Sequence, residues 1–354
     1  MKLLLICPSN RQYMPYLGNY ELLLKNKGIE YEIILWDRFH IEHDKENEFI
    51  YRDLKVGHQR GYLDYCKYVK FIKKRLACSM YKKVIIFGIQ LTFFLKKILK
   101  RKYYNEYILD IRDYNKVINF FNLKKTVLHS KYTVISSPCY KSWLPESTNY
   151  IVNHNTRIND LNSLQKVEIS MDSLREQLNI GYIGSLRDYC INIKLINSLK
   201  NSKKIKLNFH GQGNINDNLI KYVKDNDIKN VEITGGYKKE EENDLYKNCD
   251  IINVLLPNDE INSKTLLPNR LYNAVINGKI LMALGGTFVS EIVEKYNLGV
   301  VLKSFENVEN QLTVALSEFD LSLYAKGRSR FFKKVLEDNK KFVHSLEFFL
   351  HSIE

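Results

Sequence analysis

The sequence predicts an α/β protein made of two doubly wound domains, each a parallel sheet with helices on both faces. Three observations carry that prediction. Short apolar runs alternate with amphipathic stretches of roughly 10–15 residues, the pattern of parallel strands joined by crossover helices. The rhythm breaks once, in a polar stretch, and then restarts. The chain has 354 residues, which suits about two domains of ordinary size.

Each element follows from its residues. Leu3–Cys7 is an aliphatic run without polar alternation, as in a strand buried on both faces. Tyr16–Lys27 has helical spacing and is closed by Gly28, a residue suited to the turn after a helix. Strand Tyr31–Leu35 follows, and Lys83–Phe87, Glu106–Leu109, Tyr132–Ser136 and Tyr150–Val152 continue the series. Asn153–Ser173 is polar and aperiodic and reads as a linker. The second series begins with strand Asn179–Ile183, helix Tyr189–Lys200 and strand Lys206–His210. Helix Asn216–Asp225, strand Val231–Thr234, helix Lys239–Asn248 and strand Asp250–Leu256 come next. Pro268–Asn277 is a helix stopped by Gly278, and strand Ile280–Leu284, helix Phe288–Tyr296 and strand Gly299–Leu302 complete the set. The chain therefore divides into a first domain at 1–155, a linker at 156–178, a second domain at 179–325 and C-terminal amphipathic helix at 326–354.

Composition narrows the class. Hydrophobic residues at 45% and charged residues at 27% exclude large-scale disorder. The six cysteines are scattered, with no CxxC pair, so neither a disulfide framework nor a zinc site is expected. The longest apolar run, Val84–Leu95, is interrupted by Gly88, Gln90 and Thr92. It is too short to span ~30 Å of hydrocarbon. A cytoplasmic protein, peripheral on the inner face of the membrane, is the expectation.

Charge is uneven. Residues 1–155 carry 27 Lys and Arg against 14 Asp and Glu, whereas 156–354 carry 27 against 26. Between Tyr65 and Asn105 there are 12 basic residues and no acidic one, interleaved with Tyr68, Phe71, Ile72, Phe93, Phe94, Ile98 and Tyr103. Cationic helices with an aromatic-apolar side suit an anionic membrane surface. Nucleic acid is the competing partner for such a patch, and a solvated basic face is the plainest reading.

Ligands of doubly wound sheets bind beyond the carboxyl ends of the strands, so the turns there are the candidate site. Gly184, Ser185 and Arg187 follow the first strand of the second domain. A small-residue turn lets backbone amides approach a phosphate, and Arg187 adds charge; an ordinary strand-to-helix turn is the alternative. Gly211 and Gly213 end the next strand, but the third glycine of a dinucleotide fingerprint is absent, with Asn216 in its place. Pro268 is expected at the first helical position, placing Asn269 and Arg270 in the first turn. A first-turn arginine opposes the helix dipole, and a bound phosphate would offset that conflict. Asp225-Asn226-Asp227 has the spacing of a metal-binding DxD but falls at a helix end, where a solvated terminus is expected. In the first domain, Asp110, Arg112 and Asp113 end a strand. They form either a base acting on an acceptor hydroxyl or a structural Arg–Asp cluster, with Asp113 capping the next helix.

In their order and spacing these elements resemble the GT-B glycosyltransferases, particularly the family 4-like enzymes of bacterial capsule, exopolysaccharide and lipopolysaccharide synthesis. Five stretches carry the likeness. Asn179–Arg187 looks like the first donor-domain strand and loop, and Leu207–Gly213 like the second strand with its GxG. Val231–Gly236 followed by Leu245–Asp250, and then Leu267–Ala283, look like the later elements. Leu109–Asp113 and Tyr150–Asn155 are weaker echoes in the first domain.

The resemblance implies a GT-B fold, two Rossmann-like domains facing across a cleft, with the C-terminal helices packing back on the N-terminal domain. It implies a hexosyl transfer with retention, from a nucleotide-diphosphate sugar to a saccharide acceptor, polyprenyl-diphosphate-linked, with no cofactor and no required metal. Gly184, Ser185, Arg187, Gly211, Gly213, Asn269, Arg270 and Asn273 would face the donor, and Asp110, Arg112 and Asp113 the acceptor chemistry. One departure stands out. The family usually has two glutamates eight positions apart, and here those positions are Thr265 and Asn273. A non-catalytic GT-B subunit supporting a partner transferase is therefore the alternative, and a basic nucleic-acid-binding protein a further one.

Overall fold

The computed structural model describes residues 2–156, 161–167 and 177–351. The chain forms two compact units, Met1–Arg157 with Glu337–Glu354, and Ile158–Leu336. The larger part of the expected linker at 156–178 lies outside the described residues. Its described portion is tied to the second unit: Gln165 N–H donates to the Ile276 carbonyl at 2.8 Å.

The first unit holds a parallel sheet of β1 (Lys2–Ile6), β2 (Tyr31–Asp37), β3 (Glu48–Arg52), β4 (Tyr81–Phe87), β5 (Tyr107–Ile111), β6 (Tyr132–Ile135) and β7 (Tyr150–Val152). Their order across the sheet is β3-β2-β1-β4-β5-β6-β7. Strand β3 was not expected from the sequence: Glu48-Phe49-Ile50-Tyr51-Arg52 is polar-flanked and only half-buried, as befits an edge strand. Alternate residues of β1 face opposite sides, as strand geometry requires. Leu3 and Leu5 pack with Ile33, Leu35, Ile85 and Phe87 under helix Leu17–Asn26 and the end of the C-terminal helix. Phe342, Leu346, Phe349 and Leu350 belong to this core. The final segment is a single helix, Leu321–Leu350, and its last part is the C-terminal packing on the first domain that the fold class predicts.

The second unit repeats the plan with β8 (Leu178–Ile183), β9 (Ile205–His210), β10 (Val231–Gly235), β11 (Ile251–Asn253), β12 (Ile280–Leu284) and β13 (Gly299–Leu302). All are parallel, in the order β10-β9-β8-β11-β12-β13. One face packs against helices Tyr189–Leu199, Asn216–Asp225 and Val308–Ser317. The other packs against helices Asn269–Ile276 and Phe288–Lys295 and the beginning of the C-terminal helix. In each sheet the strand order reverses beside the first strand, between β1 and β4 and between β8 and β11. Those reversals mark the crevices where such sheets take ligands.

Candidate functional site

In the second unit the carboxyl end of β8 lies at the reversal. Gly184 follows it with φ +129°, a conformation glycine adopts without strain, and the space where a Cβ would stand is empty. Its N–H donates to the His210 carbonyl at 2.9 Å. The next turn is locked against this one. A Cβ on Gly211 would come within 1.8 Å of the Gly184 carbonyl oxygen, and one on Gly213 within 1.9 Å of that of Leu186. These two glycines therefore have a packing role at the base of the turn, whatever they also present to a ligand. Ser185 and Arg187 are exposed beyond it.

Arg270 reaches the same place from the helix Asn269–Ile276. Pro268 is the N-cap of that helix rather than its first residue, with Asn269 exposed at the first position. Pro268 makes no side-chain cap to the first-turn amides. The Arg270 residue is 9% exposed and its guanidinium carbon sits 3.5 Å from the ring centroid of Tyr182 on β8. Its buried Nε has no hydrogen-bond partner. Tyr182 is fixed in turn by its hydroxyl, which donates to the Ser185 carbonyl at 3.0 Å, and by stacking on Phe209. Burying a charge without a partner costs several kcal/mol in general, and stacking on Tyr182 offsets part of that cost.

Electrostatics tie the pieces together. Desolvation raises the Asp188 carboxyl above its usual value, while Arg270 and Arg187 pull it down, so all three share one field. Burial pushes the Tyr237 hydroxyl up to about 12, with Glu242 adding and Arg270 opposing. Asn273, at the position of the family's second glutamate, is half-buried and donates from Nδ2 to Glu242 Oε1 at 2.7 Å. Glu242 also pairs with Lys239. Thr265, at the first glutamate position, donates to the Ile261 carbonyl of its own helix at 2.7 Å. Gly184, Ser185, Arg187, Arg270 and Asn269 thus cluster around the β8 turn, whereas Asn273 is joined to Glu242. The sequence reading missed Tyr182, Asp188 and Glu242. Tyr182 and Asp188 stand within or beside the quoted strand-and-turn motif, but the part of Tyr182 arises from stacking with Arg270 and that of Asp188 from the field it shares with Arg270.

In the first unit Asp110 is fully buried near the end of β5. Arg112 grips it with two bonds, Nε to Oδ1 at 2.6 Å and NH2 to Oδ2 at 2.7 Å. The Tyr20 hydroxyl donates to Oδ2 at 2.6 Å. Arg112 also donates to the Asn153 side chain at 2.8 Å and to Asn155 Oδ1 at 3.0 Å, and it stacks 4.1 Å over Tyr16. Burial opposes the Arg112 charge, but Asp110 holds its pKa above the usual value. Both oxygens of Asp110 are occupied, so the expectation of Asp110 as a base on an acceptor, with Arg112 beside it, gives way to the structural-cluster reading. Asp113 is exposed. It does not cap the next helix: Asn115 does, accepting from Val117 N–H at 3.0 Å. His154 is buried and meets Asp338 of the C-terminal helix at 3.2 Å.

The basic stretch forms helices Tyr62–Cys78 and Ile89–Lys102. Tyr68, Ile72 and Tyr103 lie in the core, against the expectation that they are surface residues. Phe71, Phe93, Phe94 and Ile98 remain half-buried beside the lysines. Among the described residues no helix is long and apolar enough to cross a membrane. Of the Asp225-Asn226-Asp227 stretch, Asp225 ends its helix and Asp227 pairs with Lys229.

Solved structures place this geometry in a known architecture. Sucrose-phosphate synthase from Thermosynechococcus elongatus superposes with a TM-score of 0.72 over 100% of both chains at 12% identity. The fold is GT-B. HepE from Anabaena, solved with UDP and glucose, matches at TM-score 0.66 and 12% identity over 98% of this chain and 99% of its own. WaaB, a lipopolysaccharide outer core galactosyltransferase, matches at 0.65 and 12% over 97% and 99%. No protein-family model and no curated sequence matches the chain. At these identities the likeness is one of fold, and the site residues of the GT-B chain rest on its own geometry.

Proposed function

We propose that the chain is a glycosyltransferase that moves a sugar from a nucleotide-diphosphate donor to a saccharide acceptor. One observation carries this reading: the buried Arg270 guanidinium has an unpartnered Nε, lies over Tyr182 on the strand that leads to the open Gly184 turn, and acts with Arg187 on Asp188. A diphosphate fits that arrangement. Two guanidinium groups and the helix-start amides then stabilise the charge that develops on the departing nucleoside diphosphate, the kind of preorganised electrostatics that lowers such barriers. The reading needs no cofactor and leaves charge neutralisation to the protein rather than to a required metal. HepE, which shares the fold, was solved with UDP-glucose, and that makes UDP-sugars the first donors to try.

The acceptor side follows from the first unit. Asp113, the exposed carboxylate after β5, is the candidate to orient or deprotonate an acceptor hydroxyl. The basic helices support a lipid-linked acceptor on an anionic membrane, on its cytoplasmic face. Family 4-like chemistry, retention and a place in surface-polysaccharide synthesis come with the resemblance.

A second reading has its own support. Thr265 and Asn273 stand where the resemblance expects glutamates, and both side chains are engaged within the chain. That favours a GT-B subunit that binds donor or partner without turnover. Calorimetry with UDP-glucose and related nucleotide sugars, followed by detection of released UDP, separates the readings. Saturable binding lost in Arg270→Ala supports the donor site. Binding without UDP release, with saccharide acceptors present, favours the non-catalytic subunit. Donor affinity unchanged in Arg270→Ala overturns the role of this arginine.

A further inference from the structure

A groove on the first unit runs between helices Ile89–Lys102 and Leu123–His129, with a volume of about 260 Å³. Tyr107, the first residue of β5, contributes to its lining, so the groove lies toward the amino end of that strand, away from the carboxyl-end turns. Lys96, Lys97, Lys100 and Lys125 line it together with His129, and no carboxylate does. Among the described residues none of these four lysines forms an ion pair. The Lys96 ammonium lies 3.8 Å from the ring centroid of Phe93 and 5.5 Å from that of Phe121. Burial, then Lys100 and Lys125, lower the proton affinity of His129, so the lysines act on a common space.

Lys96 and Lys100 are one helical turn apart, a spacing at which like charges destabilise a helix. Two helices bring four ammonium groups to one groove without a counter-charge, a concentration of positive potential that attracts an anion even though Lys97, Lys100 and Lys125 are exposed. The groove also has an apolar flank. Phe121 lines it, and Phe120 next to it is 73% exposed. Tyr107 is not a donor to any ligand, because its hydroxyl is spent on the Thr126 carbonyl.

We infer that this groove binds a phosphate or diphosphate group, carried either on a lipid headgroup or on a small soluble anion. Lysines suit that role as flexible point charges, and aromatic side chains beside them suit a headgroup at an interface. The site gives the basic surface of the proposed transferase a specific ligand class, and it stands without the Arg270 site.

The test uses the full chain. Pyrophosphate is titrated by calorimetry, and flotation is measured with phosphatidylcholine vesicles with and without phosphatidylglycerol. Lys100→Gln/Lys125→Gln is compared with Lys203→Gln/Lys204→Gln, an equal charge change at exposed positions of the second unit. The groove variant should lose at least about tenfold in affinity, in keeping with two lysine contacts, while the control changes less than about twofold. Groove-dependent binding of pyrophosphate identifies the free anion as sufficient; groove-dependent binding of anionic vesicles alone identifies the lipid headgroup. Equal losses in both variants, or no saturable binding of either probe, overturn the inference. UDP-glucose binding measured on the same samples reports the donor site separately, so that either proposal can fail while the other stands.

Discussion

Arg112 and Arg270 make a natural pair for comparison. Each is buried near the carboxyl end of a parallel sheet, and each lies over a tyrosine ring, at 4.1 Å and 3.5 Å. Arg112 is gripped by Asp110 and by two asparagines. Among the described residues Arg270 shows a stacking contact and the fields of Asp188 and Tyr237, but no carboxylate gripping it. The same residue type in similar surroundings is thus finished inside one unit and unfinished inside the other. A satisfied ion pair in the interior fixes a local structure, whereas an unsatisfied cation marks the place where something else belongs.

The sharpest way to break that contrast is Asp110→Ala. It strands the Arg112 charge and should cost about 3–5 kcal/mol of stability, measured by urea denaturation of the full chain, with donor binding intact in the folded protein. A loss below about 1 kcal/mol would put Arg112 in the same class as Arg270. Next in size, Arg270→Ala should reduce nucleotide-sugar affinity at least about thirtyfold, near 2 kcal/mol, while shifting stability by less than about 1 kcal/mol. Calorimetry and thermal melts on one sample compare the two quantities directly. Asn273→Ala removes one donor from the buried Glu242 carboxylate and should cost about 1–2 kcal/mol of stability. Repair by Asn273→Gln would show that the hydrogen bond, rather than the volume, was lost.

The smallest expected effect concerns Asp188. Its raised pKa means that the fold disfavours the ionised form. Its contribution to stability is therefore fully present at low pH and is lost as pH rises through the raised value. The same carboxylate repels a diphosphate beside Arg187 and Arg270. Donor binding should tighten as pH falls and Asp188 gains its proton. Asp188→Asn should tighten UDP-glucose binding about threefold at neutral pH and remove that part of the pH dependence. A pH profile identical to that of the unaltered chain would detach Asp188 from the arginines.

What could be read from the sequence was mostly local. Buried parallel strands such as Leu3–Cys7 and Ile280–Leu284 announce themselves because both of their faces are apolar. Strand β3 did not, since its Glu48 and Arg52 ends satisfy an edge rather than a centre. Strand β11 stops at Asn253, although Val254, Leu255 and Leu256 remain buried, so hydrophobicity alone overran it. The Gly184 turn and the Arg270 helix start were legible because turn and cap chemistry act over a few residues. The sequence left Asp110 poised between base and structural partner. That choice depended on Tyr20, which donates to Asp110, and on Asn153 and Asn155, which accept from its partner Arg112; all three lie far away in the chain and meet the pair only after folding.

The helix Leu321–Leu350 bears on how the chain is made. Its last turns supply Phe342, Leu346, Phe349 and Leu350 to the core built around Leu3 and Leu5. Strand β1 therefore has part of its hydrophobic face covered by a helix far along the chain from it. Residues 158–336 carry their own sheet with helices on both faces. The first unit is therefore discontinuous in sequence, closed by a segment that follows the whole of the second, so its folding departs from the simple case in which each domain completes itself before the next begins.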